Sequence, residues 1–263
     1  MYDFAYEKPT ALAAAVASLA GDMDAKALAG GQTFIPVLKQ RLNKPTTVVD
    51  LAALGLVGIT VTADSVTIGA MTTHGEVALS AAVQKAIPAL ANLASMIGDW
   101  QVRHRGTIGG SLANNDPSAC YPSAVLALGA TIVTDRRSIA ADDYFQGMFT
   151  TALEQGEIIT KVIFPIPQKA AYQKFRNPAS RYAMVGVFVA KTAAGVRVAV
   201  TGAAQGGVFR HAAFEAALSA NFSPDAIAGI ATSADDLNSD IHASAEYRAH
   251  LIGVMAKRAV AGT

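Results

Sequence analysis

Ala29-Gly30-Gly31-Gln32-Thr33 and Thr107-Ile108-Gly109-Gly110-Ser111 are built alike: paired glycines beside a small hydroxyl residue, each after ordered structure. Glycine tolerates the dihedrals that turn successive backbone N–H groups into a concave nest, and it lets a ligand approach the chain closely. Two nests are enough to grip one diphosphate from both sides, although either pair alone is more often a plain turn. Arg103-His104-Arg105-Gly106 shows no helical periodicity, so the stretch through Ser111 is expected to be a tightly turning loop. Arg103 and Arg105 stand where they would offset diphosphate charge, or are simply solvated. Neither segment is a GxGxxG opening a helix or a GxxxxGK[ST], which argues against a Rossmann dehydrogenase and a P-loop NTPase.

Upstream, Thr10–Ala20 carries Leu12, Val16 and Leu19 at helical spacing, with Thr10 as N-cap and Gly21 as stop. Short β-rich runs at Ala27-Leu28-Ala29 and Thr46-Thr47-Val48-Val49-Asp50 complete a small α/β subdomain. Two β-branched stretches around Ala63-Asp64 read as a hairpin ending near Thr72-Thr73-His74, followed by a helix at about Ala81–Ile97. Beyond the second glycine pair come a Tyr121–Leu128 helix and strands at about Thr131–Thr134 and Ile158–Phe164. Pro165-Ile166-Pro167 is strong punctuation and sets a domain boundary near residue 168. The remainder predicts strands near Tyr172–Arg176, Tyr182–Lys191 and Val196–Ala203, then helices near Ala212–Leu218, Ala226–Thr232 and Tyr247–Val260.

The chain has 263 residues and a formal net charge of +1, with no Lys/Arg block, so nucleic acid and anionic membranes are not indicated as partners. Charged residues are only 16% and hydrophobic ones 52%, which fits either surface buried against other subunits or an alanine-inflated count. The N-terminus lacks a secretory pattern, and the longest charge-free stretch, Pro117–Thr134, is broken by Pro122 and Gly129; the expectation is a cytoplasmic protein. One cysteine, Cys120, precludes internal disulfides and an all-thiolate iron–sulfur cluster held by this chain alone.

The first glycine segment with its continuation Phe34-Ile35-Pro36-Val37-Leu38-Lys39, the run from Gln101-Val102-Arg103 to Leu112-Ala113-Asn114, and the Pro-Ile-Pro boundary together resemble the FAD-binding medium subunit of the xanthine dehydrogenase and carbon monoxide dehydrogenase family. Gly156-Glu157-Ile158-Ile159 and Ile241–Arg248 extend the resemblance over essentially the whole chain. It implies an α+β architecture: a vanillyl-alcohol-oxidase (PCMH)-type FAD-binding fold of two α/β subdomains, about 1–55 and 56–167. A C-terminal domain of antiparallel sheet and helices would occupy 168–263. It implies that Ala29, Gly30, Gly31, Gln32 and Thr33, with Gly106, Thr107, Ile108, Gly109, Gly110 and Ser111, hold the FAD diphosphate through backbone amides. Asn114 falls at a polar flavin contact, Ile159 at the adenine side, and Lys174 at a basic position near the cofactor. Thr73 and His74 are weaker candidates.

The resemblance further implies a flavoprotein subunit of a molybdenum hydroxylase heterotrimer, assembled as a dimer of heterotrimers. A small partner would carry [2Fe-2S] clusters and a large one the molybdopterin cofactor, with electron transfer through FAD to an external acceptor. Two departures stand out. Cys120 replaces an aspartate that commonly binds the adenosine ribose, leaving Asp116 or a water to substitute, or a weaker hold on FAD. Arg181 replaces an acid. A self-contained FAD oxidoreductase of the same fold and a flavin-free structural subunit are the alternatives.

No catalytic constellation is evident. Cys120 beside Tyr121 reads as a small packed residue with nothing adjacent to activate it. His74, His104, His211, His242 and His250 lack metal-ligand spacing. Asp142-Asp143 reads as a helix start, and Trp100 as core, interface or a flavin-stacking ring.

Overall fold

The computed structural model describes residues 1–263. Its first sheet is small and wholly parallel: Thr47–Asp50 lies in the middle, with Ala5–Glu7 on one side and Lys26–Leu28 on the other. Parallel neighbours need crossovers, and the helices Leu12–Gly21 and Phe34–Lys39 supply them. Val48 and Val49 are buried as a central strand requires. The carboxyl ends of all three strands face one way, and Ala29–Thr33 leaves from that end. Ligands of open parallel sheets bind at that end.

The second sheet is antiparallel and runs in the order Ile59–Val61, Ser65–Gly69, Ile159–Pro165, Thr131–Thr134, Ser138–Ala140. Its middle strand, Ile159–Pro165, is the last in sequence. Between Gly69 and Thr131 lie six helices, of which Tyr121–Leu128 is buried at every residue. The helix begins with Pro122 in its first turn and ends on Gly129 in the left-handed conformation at φ 63°.

The third sheet, Lys169–Arg176, Ala183–Thr192, Gly195–Thr201 and Phe209–Arg210, is antiparallel throughout. Strand alternation sorts its side chains into two cores. Tyr172, Phe188, Ala190 and Ala199 join the large core around Tyr121–Leu128. Ala171, Val185, Val187, Val189, Val196, Val198 and Val200 pack with Leu251, Ile252, Met255 and Ala259 of the C-terminal helix Ala245–Ala261. A strand buried on both faces reads as a nearly continuous apolar run, which is what Ala183–Ala190 is. No helix in the chain is long and apolar enough to cross a membrane.

Several sequence expectations are corrected. The N-cap of the first helix is Ala11, not Thr10, and Gly21 is its last residue. The helix expected over Ala81–Ile97 is two, Ala81–Ala86 and Pro88–Ser95, because Pro88 cannot donate an amide in a helix interior and starts a new helix instead. Arg103–Ser111 is not a loop. It contains the end of helix Trp100–Arg105 and the start of helix Ile108–Asn114, separated only by extended Gly106 and Thr107. Asp99 and Thr107 cap these two helices through their side chains, a signal that the paired glycines obscured. Near residues 226–232 the chain forms only a 3-10 turn, Pro224–Ile227.

An ion pair between buried Glu157 and half-exposed Arg137 ties the second sheet together. Glu157 accepts from Thr134 Oγ1 at 2.8 Å, Arg137 Nε and Nη2 at 2.9 Å each, and the Glu154 amide at 2.8 Å. The Arg137 guanidinium hydrogen bond is the main reason its carboxyl is held down to about 2, against an opposing contribution from burial. A carboxyl whose folded pKa is depressed stabilises the fold above its unfolded pKa, and that stability is lost as pH falls through the folded value. Glu157→Gln is expected to lower the urea-unfolding free energy by about 1–2 kcal/mol at pH 7. The gap from wild type should close between about pH 4.5 and pH 2, the window set by the depressed pKa.

Candidate cofactor-binding site

The two glycine segments meet. A Cβ on Gly30 would lie 2.1 Å from the Arg105 carbonyl oxygen and 2.8 Å from the Gly106 Cα, so only glycine allows the backbones to approach this closely. A Cβ on Gly110 would lie 3.3 Å from the Ala29 Cβ, and one on Gly109 would lie 2.7 Å from the Ala70 carbonyl oxygen. The first segment is thereby packed against the second, and the second against the start of the helical region. Beside this junction opens a cavity of about 620 Å³, within the ~300–1,000 Å³ typical of ligand sites.

Of the residues singled out from sequence, Ala29, Gly30, Gly31, Gln32, Thr33, His74, Gly106, Thr107, Gly109, Gly110, Ser111, Asn114, Asp116, Ile159 and Lys174 line this cavity. Thr73 and Ile108 do not. Thr73 caps helix His74–Leu79 through a reciprocal capping box with Glu76, and Ile108 is fully buried in the core. Trp100, Arg103 and Arg105 also stay out of the wall. Trp100 is half exposed, and Arg103 Nη1 donates to the Ile97 and Gly98 carbonyls.

The two segments are not equivalent nests. The backbone amides of Gly30, Gly31, Gln32 and Thr33 donate to no acceptor in the protein, and Gly31 sits at φ +74°, a conformation that favours glycine. Four successive donors at the carboxyl end of a parallel sheet, in residues that line the cavity, are thus left available to an acceptor. In the second segment the donors from Ile108 to Ser111 are spent, and the Thr107 amide alone finds no acceptor in the protein. The Ile108 amide donates to the Thr72 carbonyl at 3.1 Å, Gly109 to the Ala70 carbonyl at 2.8 Å, Gly110 to Thr107 Oγ1 at 3.1 Å and Ser111 to the Thr107 carbonyl at 3.0 Å. The two segments therefore differ in what they present: the second offers one free amide, that of Thr107, with close-packed glycine backbone and the side chains of Thr107, Ser111 and Asn114.

Two polar side chains on the wall are arranged for particular states. His74 is buried, and desolvation, then the charge of Arg103, pushes its pKa down to about 4, so its imidazole is neutral at pH 7; its Nδ1 has no partner. Lys174 Nζ donates to the Met96 carbonyl at 2.9 Å and to Cys120 Sγ at 3.3 Å. Cys120 is packed, as its sequence context predicted, but the fold brings a cation to it from a strand far away in sequence.

Arg181, noted from sequence only as a departure, lies on the wall, and its neighbours Ser180 and Tyr182 join it there. These residues close the turn between Lys169–Arg176 and Ala183–Thr192, where buried Asn177 accepts from the Ala179 and Ser180 amides at 2.9 and 3.1 Å. Asn177-Pro178 is a turn signal that marks the place. Glu157, Ile158 and Leu51 were missed because only the tertiary packing turns them toward the cavity.

Residues 2–167 match the family described as the FAD binding domain in molybdopterin dehydrogenase. The chain is similar to the nicotine 6-hydroxylase medium subunit of Paenarthrobacter nicotinovorans, 37% identical over 270 residues, covering 97% of this chain and 95% of that one. It is 35% identical over 275 residues to the carbon monoxide dehydrogenase medium chain of Afipia carboxidovorans, covering 98% and 95%. Its fold superposes on a chain of the crystal structure of cyanide-inactivated Cu,Mo-CO dehydrogenase with a TM-score of 0.89, at 33% identity over 99% of this chain and 98% of that one. Quinoline 2-oxidoreductase from Pseudomonas putida 86 gives 0.88 at 29% identity, covering 99% and 96%.

Gly30→Ala is expected to be destabilising by about 2 kcal/mol or more, because its methyl group meets backbone that cannot swing aside. Gly110→Ala meets a hydroxyl and a methyl group and should cost less than Gly30→Ala. Urea denaturation of both variants without added ligand checks the order.

Proposed function

Because this chain belongs to the family of FAD-binding domains of molybdopterin dehydrogenases, as an FAD-binding medium subunit of a molybdenum hydroxylase complex, we propose that it is the electron-transfer step of that complex. In this reading a small partner with [2Fe-2S] clusters delivers electrons, a large partner carries the molybdopterin cofactor, and an external acceptor takes the electrons away. The three subunits form a heterotrimer that pairs into a dimer of heterotrimers. The cytoplasm is the proposed compartment. Residues 1–167 form the FAD-binding domain, in subdomains of about 1–55 and 56–167, and 168–263 form the C-terminal domain.

The observation that carries the cofactor assignment is the row of unpaired amides at Gly30–Thr33 opening into the 620 Å³ cavity. Orphaned donors of this kind match a diphosphate, whose oxygens accept several hydrogen bonds at once. Those four amides hold the diphosphate, while Thr107, Ser111 and Asn114 provide hydroxyl and amide groups from the facing wall. Gly106, Gly109 and Gly110 let the wall close tightly against His74, Ala70 and Thr107, where a Cβ would collide. Asp116, which lines the cavity, is the carboxylate available to a ribose, and Ile159 and Ile158 form an apolar surface for a ring. His74, neutral at physiological pH, adds no charge to the wall and offers an uncharged hydrogen-bonding edge. Lys174 supplies the one lysine ammonium on the C-terminal side of the cavity.

When bound, FAD supplies two-electron and one-electron exchange, the chemistry needed between iron–sulfur clusters and a two-electron acceptor. The chain's own task is to orient the cofactor and shield it from water, so no nucleophile or general base is required of it.

The purified complex is expected to show a flavin absorption spectrum and to release FAD on acid treatment. Iron–sulfur absorbance should appear only when the neighbouring subunits are coexpressed. Absence of flavin from both preparations, even after incubation with excess FAD, would exclude the assignment.

A further inference from the structure

Cys120 is the only cysteine of the chain and contributes to the cavity wall while being only 4% exposed. Three features of its surroundings are unusual for an inert packed thiol. Lys174 Nζ is held 3.3 Å from Sγ by its second bond to the Met96 carbonyl, so the cation cannot swing away. The Tyr172 hydroxyl, on the same strand two residues earlier, is turned toward Cys120, is 1% exposed and has only the Cys120 sulfur beside it, with no acceptor at good bonding geometry. It has room there because residue 186 is glycine: a Cβ at that position would lie 2.5 Å from the hydroxyl. A buried hydroxyl with no acceptor is costly, and it marks a place where an oxygen atom would be welcome.

We propose that Cys120 is a site of reversible oxidation by hydroperoxides, with its sulfenic acid retained by Lys174 and Tyr172. The Cys120 sulfur attacks the peroxide O–O bond, forming an S–O bond while the O–O bond breaks and the thiol gives up its proton. Sulfur is oxidised by two electrons and the peroxide reduced by two. With hydrogen peroxide the leaving hydroxide takes a proton and departs as water. The Lys174 ammonium stands beside the sulfur and within reach of the departing oxygen, whose developing charge it offsets. The new oxygen then gives the Tyr172 hydroxyl the acceptor it lacks and takes a further hydrogen bond from Lys174. Burial, then the neighbouring sulfur, raises the Tyr172 pKa well above its usual value, so the hydroxyl keeps its proton as a donor. With no second cysteine in the chain, the sulfenic acid cannot close an internal disulfide, and an external thiol must reduce it. The site depends on this chain's side chains and not on the identity of the cofactor.

The test is to treat the purified, FAD-loaded protein with hydrogen peroxide, trap sulfenic acid with dimedone, and quantify the Cys120 peptide by mass spectrometry. Labelling of Cys120 in the folded protein is expected, with reversal by added thiol. Lys174→Met should slow labelling about tenfold, the loss of one well-placed charge. Tyr172→Phe removes only the unpartnered hydroxyl and should shorten the life of the sulfenic acid, seen as faster passage to sulfinic acid. Cys120 that labels only after unfolding, or that labels at the wild-type rate in Lys174→Met, overturns the proposal. An unchanged sulfenic-acid lifetime in Tyr172→Phe overturns its retention, and that readout stands even if Lys174→Met does not fold.

Discussion

The contact of Gly30 with the Arg105 carbonyl and Gly106 is the constraint on which the site depends. It brings the end of a parallel sheet against a helix junction belonging to a different sheet, at a separation that any side chain would forbid. The cavity exists because those backbones meet on one side and stay apart on the other. The same contact explains why two similar glycine pairs end with different duties. One is left with free amides. The other uses its amides to hold Thr72 and Ala70 in place, making it the platform against which the first is set.

Much of the architecture was legible because local signals agreed with burial. Thr131–Thr134 and Tyr121–Leu128 form at the residues their patterns indicate, and the second ends on a glycine with the positive φ expected of a helix stop. The strands of the third sheet were legible as apolar runs, although their pattern could not tell that odd and even positions feed two separate cores. The misreadings have a common source. Glycine pairs and a basic cluster read as local punctuation while Pro88 goes unread, whereas Gly109 and Gly110 lie inside a helix whose first amides find carbonyls from a distant segment. Hydrogen-bond partners across the fold leave no trace in local periodicity. The encounter of Lys174 with Cys120 is of the same kind: two residues noted separately, 54 positions apart, become a pair only in three dimensions.

The wall of the cavity draws on all three sheets. Lys26 and Ala27 come from the parallel sheet, Ile159 from the middle of the second, and Lys174 from the third, with Ser180–Tyr182 closing the turn beyond it. The helix Tyr121–Leu128 lets the third sheet take part. Packed among Phe188, Ala190 and Ala199, it fixes the sheet's inner face directly behind the cavity, while Thr201 Oγ1 donates to the carbonyls of Pro117 and Ala119 just before the helix begins. The C-terminal part is therefore a structural wall of the site and not an appendage to it.

The strand order of the second sheet also governs how the chain comes into being on the ribosome. Ile159–Pro165 occupies the centre, yet it is synthesised after both of its neighbours, Ser65–Gly69 and Thr131–Thr134. Until it emerges, two half-sheets must wait with unpaired edges across a gap closed only by a segment more than ninety residues downstream of the first. Non-local pairing of this kind is slow, and open edges are sticky meanwhile. A nascent chain of this design spends its most vulnerable interval after the helices between Gly69 and Thr131 are made and before Ile159–Pro165 arrives to join the two half-sheets.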